Sequence, residues 1–224
     1  MRLLTNQSEE LAMSSITVEK TQVTIAKRVK LTYGVGFNSK TKHRAWLNGR
    51  YTPAYCTWRN ILARCYCPNK QLIQPSYVGC SISEKWYDFQ DFAEWFNNHK
   101  HNHKGYHLDK DILFTGNKVY SPETCCFIPQ ELNKILGDRK AARGSFPQGV
   151  CLHKPTKKYT ASTRMYGMTK HLGVFDTPEE AYRAYKAAKE DYVKKMALEW
   201  RDRIADNVFQ ALMAWELPNL DDNN

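Results

Sequence analysis

The stretch YHLDKDIL, Tyr106 to Leu113, sets His107, Asp109 and Asp111 at alternate positions. In an extended strand successive side chains point to opposite faces, so these three share one. An imidazole beside carboxylates is a set of groups that can take a proton from water. Lys110 stands between the two aspartates. With an ordinary pKa of about 10.4, it is a poor base at neutral pH unless strongly desolvated.

Other groups invite a metal reading and do not sustain it. His99, His101 and His103 lead into His107 in NNHKHNHKGYH; a solvated basic loop before a strand is the expectation there. The seven cysteines include Cys65 and Cys67, spaced CxC with no matching second pair. No zinc is expected, and the odd count without an export signal argues for free thiols rather than a disulfide framework.

A third chemistry is polyanion binding. Between Lys134 and Lys170 the chain carries Lys134, Arg139, Lys140, Arg143, Lys154, Lys157, Lys158, Arg164 and Lys170 against the lone Asp138. Such density releases counterions from nucleic acid and gives salt-sensitive affinity. The formal net charge of the whole chain is +10, which bears on partners rather than fold.

These groups need elements to hold them. In TPAYCTWRNILARCY, Trp58, Ile61, Leu62 and Cys65 recur at helical spacing behind a Thr52-Pro53 start. SEKWYDFQDFAEWFNNH repeats that period through Trp86, Phe89, Ala93 and Phe96, with Ser83 as a candidate cap. Its aromatics are expected in a core. From Tyr106 the order reads strand, turn, strand, then a helix beginning near Pro129. Gly144, Pro147 and Gly149 break the chain. Three short strands follow to Phe175, with Tyr159, Ala161 and Thr163 alternating against Thr160, Ser162 and Arg164. Thr177, Pro178 and Glu180 form a capping box. The helix they open carries Ala181, Ala184, Tyr185, Ala188 and Tyr192 on one face and runs on or resumes to about Trp215. ELPNLDDNN reads as a frayed acidic tail.

The predicted fold class is α+β. The expected domains are a weakly ordered segment 1–50, a first domain 51–138, a linker 139–146, a second domain 147–193 and a helical extension 194–224. No apolar run approaches the roughly 20 residues of a bilayer span, and no signal peptide opens the chain. The expectation is a soluble, cytoplasmic protein, monomeric or weakly dimeric, with no membrane partner.

The ββα order at 106–136 resembles the HNH endonuclease module. The wider block, TWRNILARCY through PSYVGCSISEKWYDFQDFAEWF to LDKDILFTGNKVYSPETCCFIPQELNK, is similar to phage-encoded HNH homing endonucleases whose members carry the DKD form. The resemblance covers roughly Tyr33 to Asp138. It implies one Mg²⁺ or Mn²⁺ ion, with Asp109 and Asn133 as ligands and Thr124 near the family's middle asparagine. Lys110 occupies the place of the family's base histidine. Three readings stay open: His107 or Asp111 serves as base, Lys110 steadies phosphate charge, or the module is inactive and clamps DNA as a regulator.

Residues 146–193 resemble the AP2 DNA-binding domain through Gly149-Val150, Tyr159, Ala161, Leu172-Gly173, Phe175, Thr177, Glu179-Glu180-Ala181 and Ala184-Tyr185. That implies a three-stranded sheet in the major groove of double-stranded DNA with the helix behind it. His153, Lys154, Lys158, Thr160, Ser162 and Arg164 are the candidates for the DNA-facing side, joined by Lys140, Arg143, Lys157 and Lys170. Arg164 suits guanine, and the lysines suit phosphate. For a phage-encoded protein the compartment implied is the host cytoplasm.

Overall fold

In a computed structural model the described residues are 30–137 and 145–220. Along the chain they form β1 (Trp46–Leu47), β2 (Arg50–Tyr51), α1 (Pro53–Tyr66), α2 (Pro68–Ile73), β3 (Ser81–Ile82), α3 (Phe89–Asn98), β4 (Tyr106–Asp109), β5 (Val119–Tyr120), β6 (Cys126–Pro129), α4 (Gln130–Leu136), β7 (Val150–His153), β8 (Lys158–Met165), β9 (Met168–Phe175), α5 (Pro178–Glu199) and α6 (Asp206–Met213). The class is α+β, with small sheets. Among the described residues no helix is long and apolar enough to cross a membrane.

The chain divides into two compact units. One holds the described residues through Asn97 together with Lys118–Ser121; the other holds Asn98–Asn117 and the described residues from Pro122 onward. This division cuts through the span 51–138 expected as one domain. The reason is β5, which leaves the segment between β4 and β6 to pair in parallel with β3.

The first unit is built on an aromatic core. Thr52 caps α1 by accepting the Tyr55 N–H on Oγ1 at 3.4 Å, with Pro53 in the first turn. Trp58, Ile61, Leu62 and Cys65 are buried, as are Trp86, Phe89, Phe92 and Ala93, and the Trp58 ring lies 5.6 Å from that of Phe89. Trp58 Nε1 donates to the Trp86 carbonyl at 2.7 Å, which satisfies its one polar atom inside an apolar setting. Ser83 does not cap α3: Glu84–Trp86 forms a separate 3₁₀ turn and the helix starts at Phe89. Within the expected weakly ordered segment, residues 30–50 are tied to this core, while 1–29 lie outside the described residues. Phe37 exchanges backbone hydrogen bonds with Tyr87 and Phe89. The buried Gln90 accepts the Lys42 and His43 N–H groups on Oε1.

The second unit contains two sheets and a shared helix. β4 and β6 pair antiparallel, with Asp109 opposite Cys126 and His107 opposite Ile128. β7, β8 and β9 form an antiparallel sheet in that order. α5 opens on the capping box: Thr177 Oγ1 accepts the Glu180 N–H at 3.2 Å, and Glu180 Oε2 accepts the Thr177 N–H at 3.3 Å. Its first turns bury Ala181, Tyr182 and Tyr185 against Val150 and Ala161 of the three-stranded sheet. Its later turns bury Tyr192, Val193, Met196 and Ala197 against Cys126, Ile128 and Leu132 of the β4–β6–α4 layer. Ile204 and the α6 residues Val208 and Leu212 close the same core.

The helical extension therefore completes a core, and one helix backs both sheets. Each fully buried side chain of this kind contributes about 1.5–3 kcal/mol. The start of the supposed frayed tail is also packed: Leu217 and Leu220 join the sheet–helix core, and Leu217 N donates to Glu190 Oε1 at 2.9 Å.

Candidate nucleic-acid interface and the Asp109 loop

β4 ends at Asp109 because its own side chain turns the chain. Asp109 Oδ1 accepts the N–H groups of Asp111 and Ile112 at 2.8 and 2.9 Å, the short-range competition with strand pairing that aspartate is prone to. The alternation predicted for His107, Asp109 and Asp111 thus stops at Asp109. His107 and Asp109 stay on one face of β4, with Asp111 in the bend beyond it.

Lys110 is not presented outward. It is 5% exposed, and its Nζ donates to Asp111 Oδ1 and to the Asn117 carbonyl, each at 2.5 Å. Asn117 answers by donating Nδ2 to the Lys110 carbonyl at 2.9 Å. The lysine is a staple that closes the loop from 110 to 117. The ammonium, read as a possible partner for phosphate, points into the loop, and Asp111, read as a possible base, is paired with Lys110. Sequence reasoning misses Asn117, because a polar residue seven positions on carries no local signal for a buried contact.

Burial pushes the Asp109 carboxyl pKa up, only partly offset by its two backbone N–H partners and by Lys110, while Asp111 adds to the rise. The adjacent Cys126 thiol is pushed up by its own burial and by the Asp109 charge, so it stays protonated. Asn133 lies half-buried on α4, the helix that packs against both β4 and β6. Thr124 is also half-buried, in the loop before β6. The histidine row is not a simple solvated loop. His99 is half-buried with its ring edge on Phe127 at 4.9 Å, and burial lowers the His99 and His101 pKa values.

A divalent ion fits the donor chemistry at Asp109. Both backbone hydrogen bonds run to Oδ1, which leaves Oδ2 as the oxygen a cation would use, in a setting where burial disfavours an uncompensated negative charge. Asn133, half-buried on α4, is the other candidate oxygen donor. Among the described residues no three His, Cys, Asp or Glu side chains gather as a metal-holding group. Mg²⁺ keeps several waters and takes one or two carboxylates plus substrate phosphate, so two protein oxygens suffice.

The three-stranded sheet offers the larger surface. Ala161 and Thr163 point into the core, so the alternate residues of β8 point away. Register sets His153 opposite Lys158, Cys151 opposite Thr160, Thr160 opposite Val174, Ser162 opposite His171 and Arg164 opposite Thr169. These share the outward face. The hairpin turn holds the Arg164 stem, through Nε donating to the Gly167 carbonyl at 3.0 Å. His153 Nδ1 lies 2.8 Å from Thr156 Oγ1. Lys154 and Lys157 sit at the β7–β8 turn, exposed. Between Ser145 and Phe175 no Asp or Glu occurs; the nearest acid, Asp176, pairs with Lys158 at 2.8 Å on an exposed edge.

Lys170 is a correction: it lies opposite Thr163, on the other side of the sheet from Ser162 and Arg164. The register shift between Ala161 and Ser162 gives β9 an extra residue, Leu172, and that changes which β9 residues share the outward face. His171 and Thr169 join the face instead. Lys140 and Arg143 lie outside the described residues. No protein-family model, curated protein or solved structure matches the chain.

Proposed function

We propose that this protein binds double-stranded DNA through the outward face of β7–β8–β9 and hydrolyses phosphodiester bonds at the Asp109–Asn133 site. The observation that carries the reading is the sheet. One face is closed by α5, while the other is open and carries Arg164 and Lys158, with Lys154 and Lys157 at its turn, hydroxyl and imidazole side chains interleaved, and Asp176 as the acid at its edge, paired with Lys158. That is the composition of a surface that meets phosphate and base edges together. The ββα layer and the sheet–helix layer are in keeping with the HNH and AP2 resemblances, and the shared α5 gives them a common support.

In this reading Arg164 reads a base edge, and Lys154, Lys157 and Lys158 contact phosphates. Asp109 and Asn133 hold one Mg²⁺ or Mn²⁺, which when bound supplies charge stabilisation at the scissile phosphate. Asp109 presents Oδ2 while its two backbone amides fix the carboxylate plane. Lys110 keeps the loop closed. His107, exposed on the same strand face as Asp109, is the group that takes the proton from the attacking water.

A second reading, a DNA-binding regulator without catalysis, rests on one observation: position 110 holds a buried ammonium where the HNH module at large has its base histidine. A cleavage assay separates them. Supercoiled plasmid bearing the target, incubated with Mg²⁺ or Mn²⁺, is expected to be nicked or linearised. Intact plasmid beside undiminished, salt-sensitive binding selects the regulator. Cleavage that survives the combined Asp109→Ala and Asn133→Ala change refutes the site assignment.

A further inference from the structure

The second unit holds a cavity of about 370 Å³ between the β8–β9 hairpin, the turn before β7, the end of α4 and the middle of α5. Lys134, Arg164 and Lys189 line it, with Thr163, Gly149 and the Tyr185 ring. Among the described residues that line it none is Asp or Glu. Its size lies within the roughly 300–1,000 Å³ typical of small-ligand sites.

Two of its side chains are buried without partners. Thr163 is 4% exposed and Lys189 is 7% exposed. Thr163 Oγ1 makes no hydrogen bond among the described residues. Lys189 forms no ion pair among the described residues, and its neighbours one turn earlier and one position later, Lys186 and Glu190, pair with each other at 2.6 Å. Burial lowers the pKa of the Lys189 ammonium. A buried lysine with no counter-charge among the described residues and an unmet buried hydroxyl are both costly unless a ligand completes them.

We propose that this cavity binds a phosphate group, with Lys189 and Thr163 at its base and Lys134 and Arg164 at its mouth. Cations with no counter-acid among the described lining residues suit a multivalent anion better than a carboxylate, and the Thr163 hydroxyl supplies a donor to one of its oxygens. The cavity stands apart from the DNA reading, because the partnerless groups call for an anion whatever the outer sheet face does. The phosphate comes either from free phosphate or from a DNA backbone that reaches the mouth beside Arg164.

The test titrates the full chain with inorganic phosphate at constant ionic strength, by calorimetry and by thermal unfolding. Saturable binding and a rising Tm are expected, with chloride giving neither. Lys189→Met keeps the stem and removes the charge. It is expected to weaken phosphate about tenfold or more, the loss of a charged hydrogen bond, and to keep or raise Tm without phosphate. Thr163→Val, which leaves the ammonium in place, is expected to weaken phosphate several-fold and decides the matter should Lys189→Met fail to fold.

Binding of a DNA duplex at several salt concentrations then assigns the source. A slope of log K against log salt reduced by about one in Lys189→Met marks a backbone phosphate. An unchanged slope with lost phosphate binding marks free phosphate. Wild-type protein with no saturable phosphate response, or a folded Lys189→Met or Thr163→Val that binds phosphate as well as wild type, overturns the proposal. Saturable phosphate binding by a protein that does not bind DNA upholds the cavity and counts against the DNA reading alone.

Discussion

Replacing Lys110 separates a structural lysine from a disabled catalytic one. Its ammonium makes two short bonds, to Asp111 Oδ1 and to the Asn117 carbonyl, from a side chain only 6% exposed. A hydrogen bond to a charged group contributes about 1.5–3 kcal/mol. The Asp111 end is half exposed, with its side chain 54% accessible, so that bond is discounted toward the value of a surface pair, up to about 1 kcal/mol. Lys110→Met, which keeps the packed stem, is therefore expected to cost about 2–3 kcal/mol, and Lys110→Ala somewhat more through lost packing. For a chain of this size about 2–4 °C of Tm accompanies each kcal/mol.

Lys110→His is the decisive variant. If the lysine merely displaced a base, histidine would restore or raise cleavage. The loop geometry predicts the opposite, because an imidazole cannot reach both Asp111 Oδ1 and the Asn117 carbonyl. Stability should fall by a similar amount, amide exchange at Asp111 and Ile112 should accelerate, and cleavage should drop. Thermal unfolding, hydrogen exchange and plasmid cleavage on one preparation supply the three readouts. A Lys110→His protein as stable as wild type and faster at cutting refutes the staple.

Four further outcomes follow from the geometry. Arg164→Ala should cost about 1–3 kcal/mol of specific DNA binding, whereas Lys170→Ala, on the other side of the sheet, should change it little; filter binding on matched and scrambled duplexes checks the contrast. Gly149 holds a φ of +77°, and a Cβ there would meet the Tyr185 ring at 2.0 Å, so Gly149→Ala should lose about 2–4 kcal/mol from strain and overpacking in urea unfolding. Met196→Ala, opening a cavity against Cys126 and Leu132, should lose about 2–5 kcal/mol in the same assay. Burial raises the Asp109 pKa, so the folded protein holds that proton to higher pH than the unfolded chain. The stabilising effect is complete below the ordinary aspartate value and lost as pH rises through the raised one. Asp109→Asn, which keeps an acceptor for both amides, should therefore raise Tm at neutral pH and leave it nearly unchanged near pH 3.

Features set by neighbours in sequence were legible. Thr52-Pro53 and the Thr177–Glu180 box start their helices as the residue types require, and the periodic aromatics Trp86, Phe89 and Phe96 are core. What depended on distant contacts or on one side chain's competition with the backbone was not. Alternation pointed to Asp111 on the strand face, but Asp109 captured the next two backbone amides and ended the strand. Helical periodicity marked Ala181, Tyr185 and Tyr192 as one face without revealing that the same helix backs two sheets. One extra residue in β9 moved Lys170 off the outward face and brought His171 onto it. Lys189 reads as an ordinary surface lysine until the fold buries it beside Thr163.

The central claim is a metal-dependent cutting site at Asp109, and anomalous diffraction from crystals soaked with Mn²⁺ tests it most directly. One peak is predicted within bonding distance of the Asp109 carboxylate and the Asn133 amide oxygen, absent in Asp109→Ala. Peaks that touch neither residue, in crystals of a protein that cuts DNA with Mn²⁺, would contradict it.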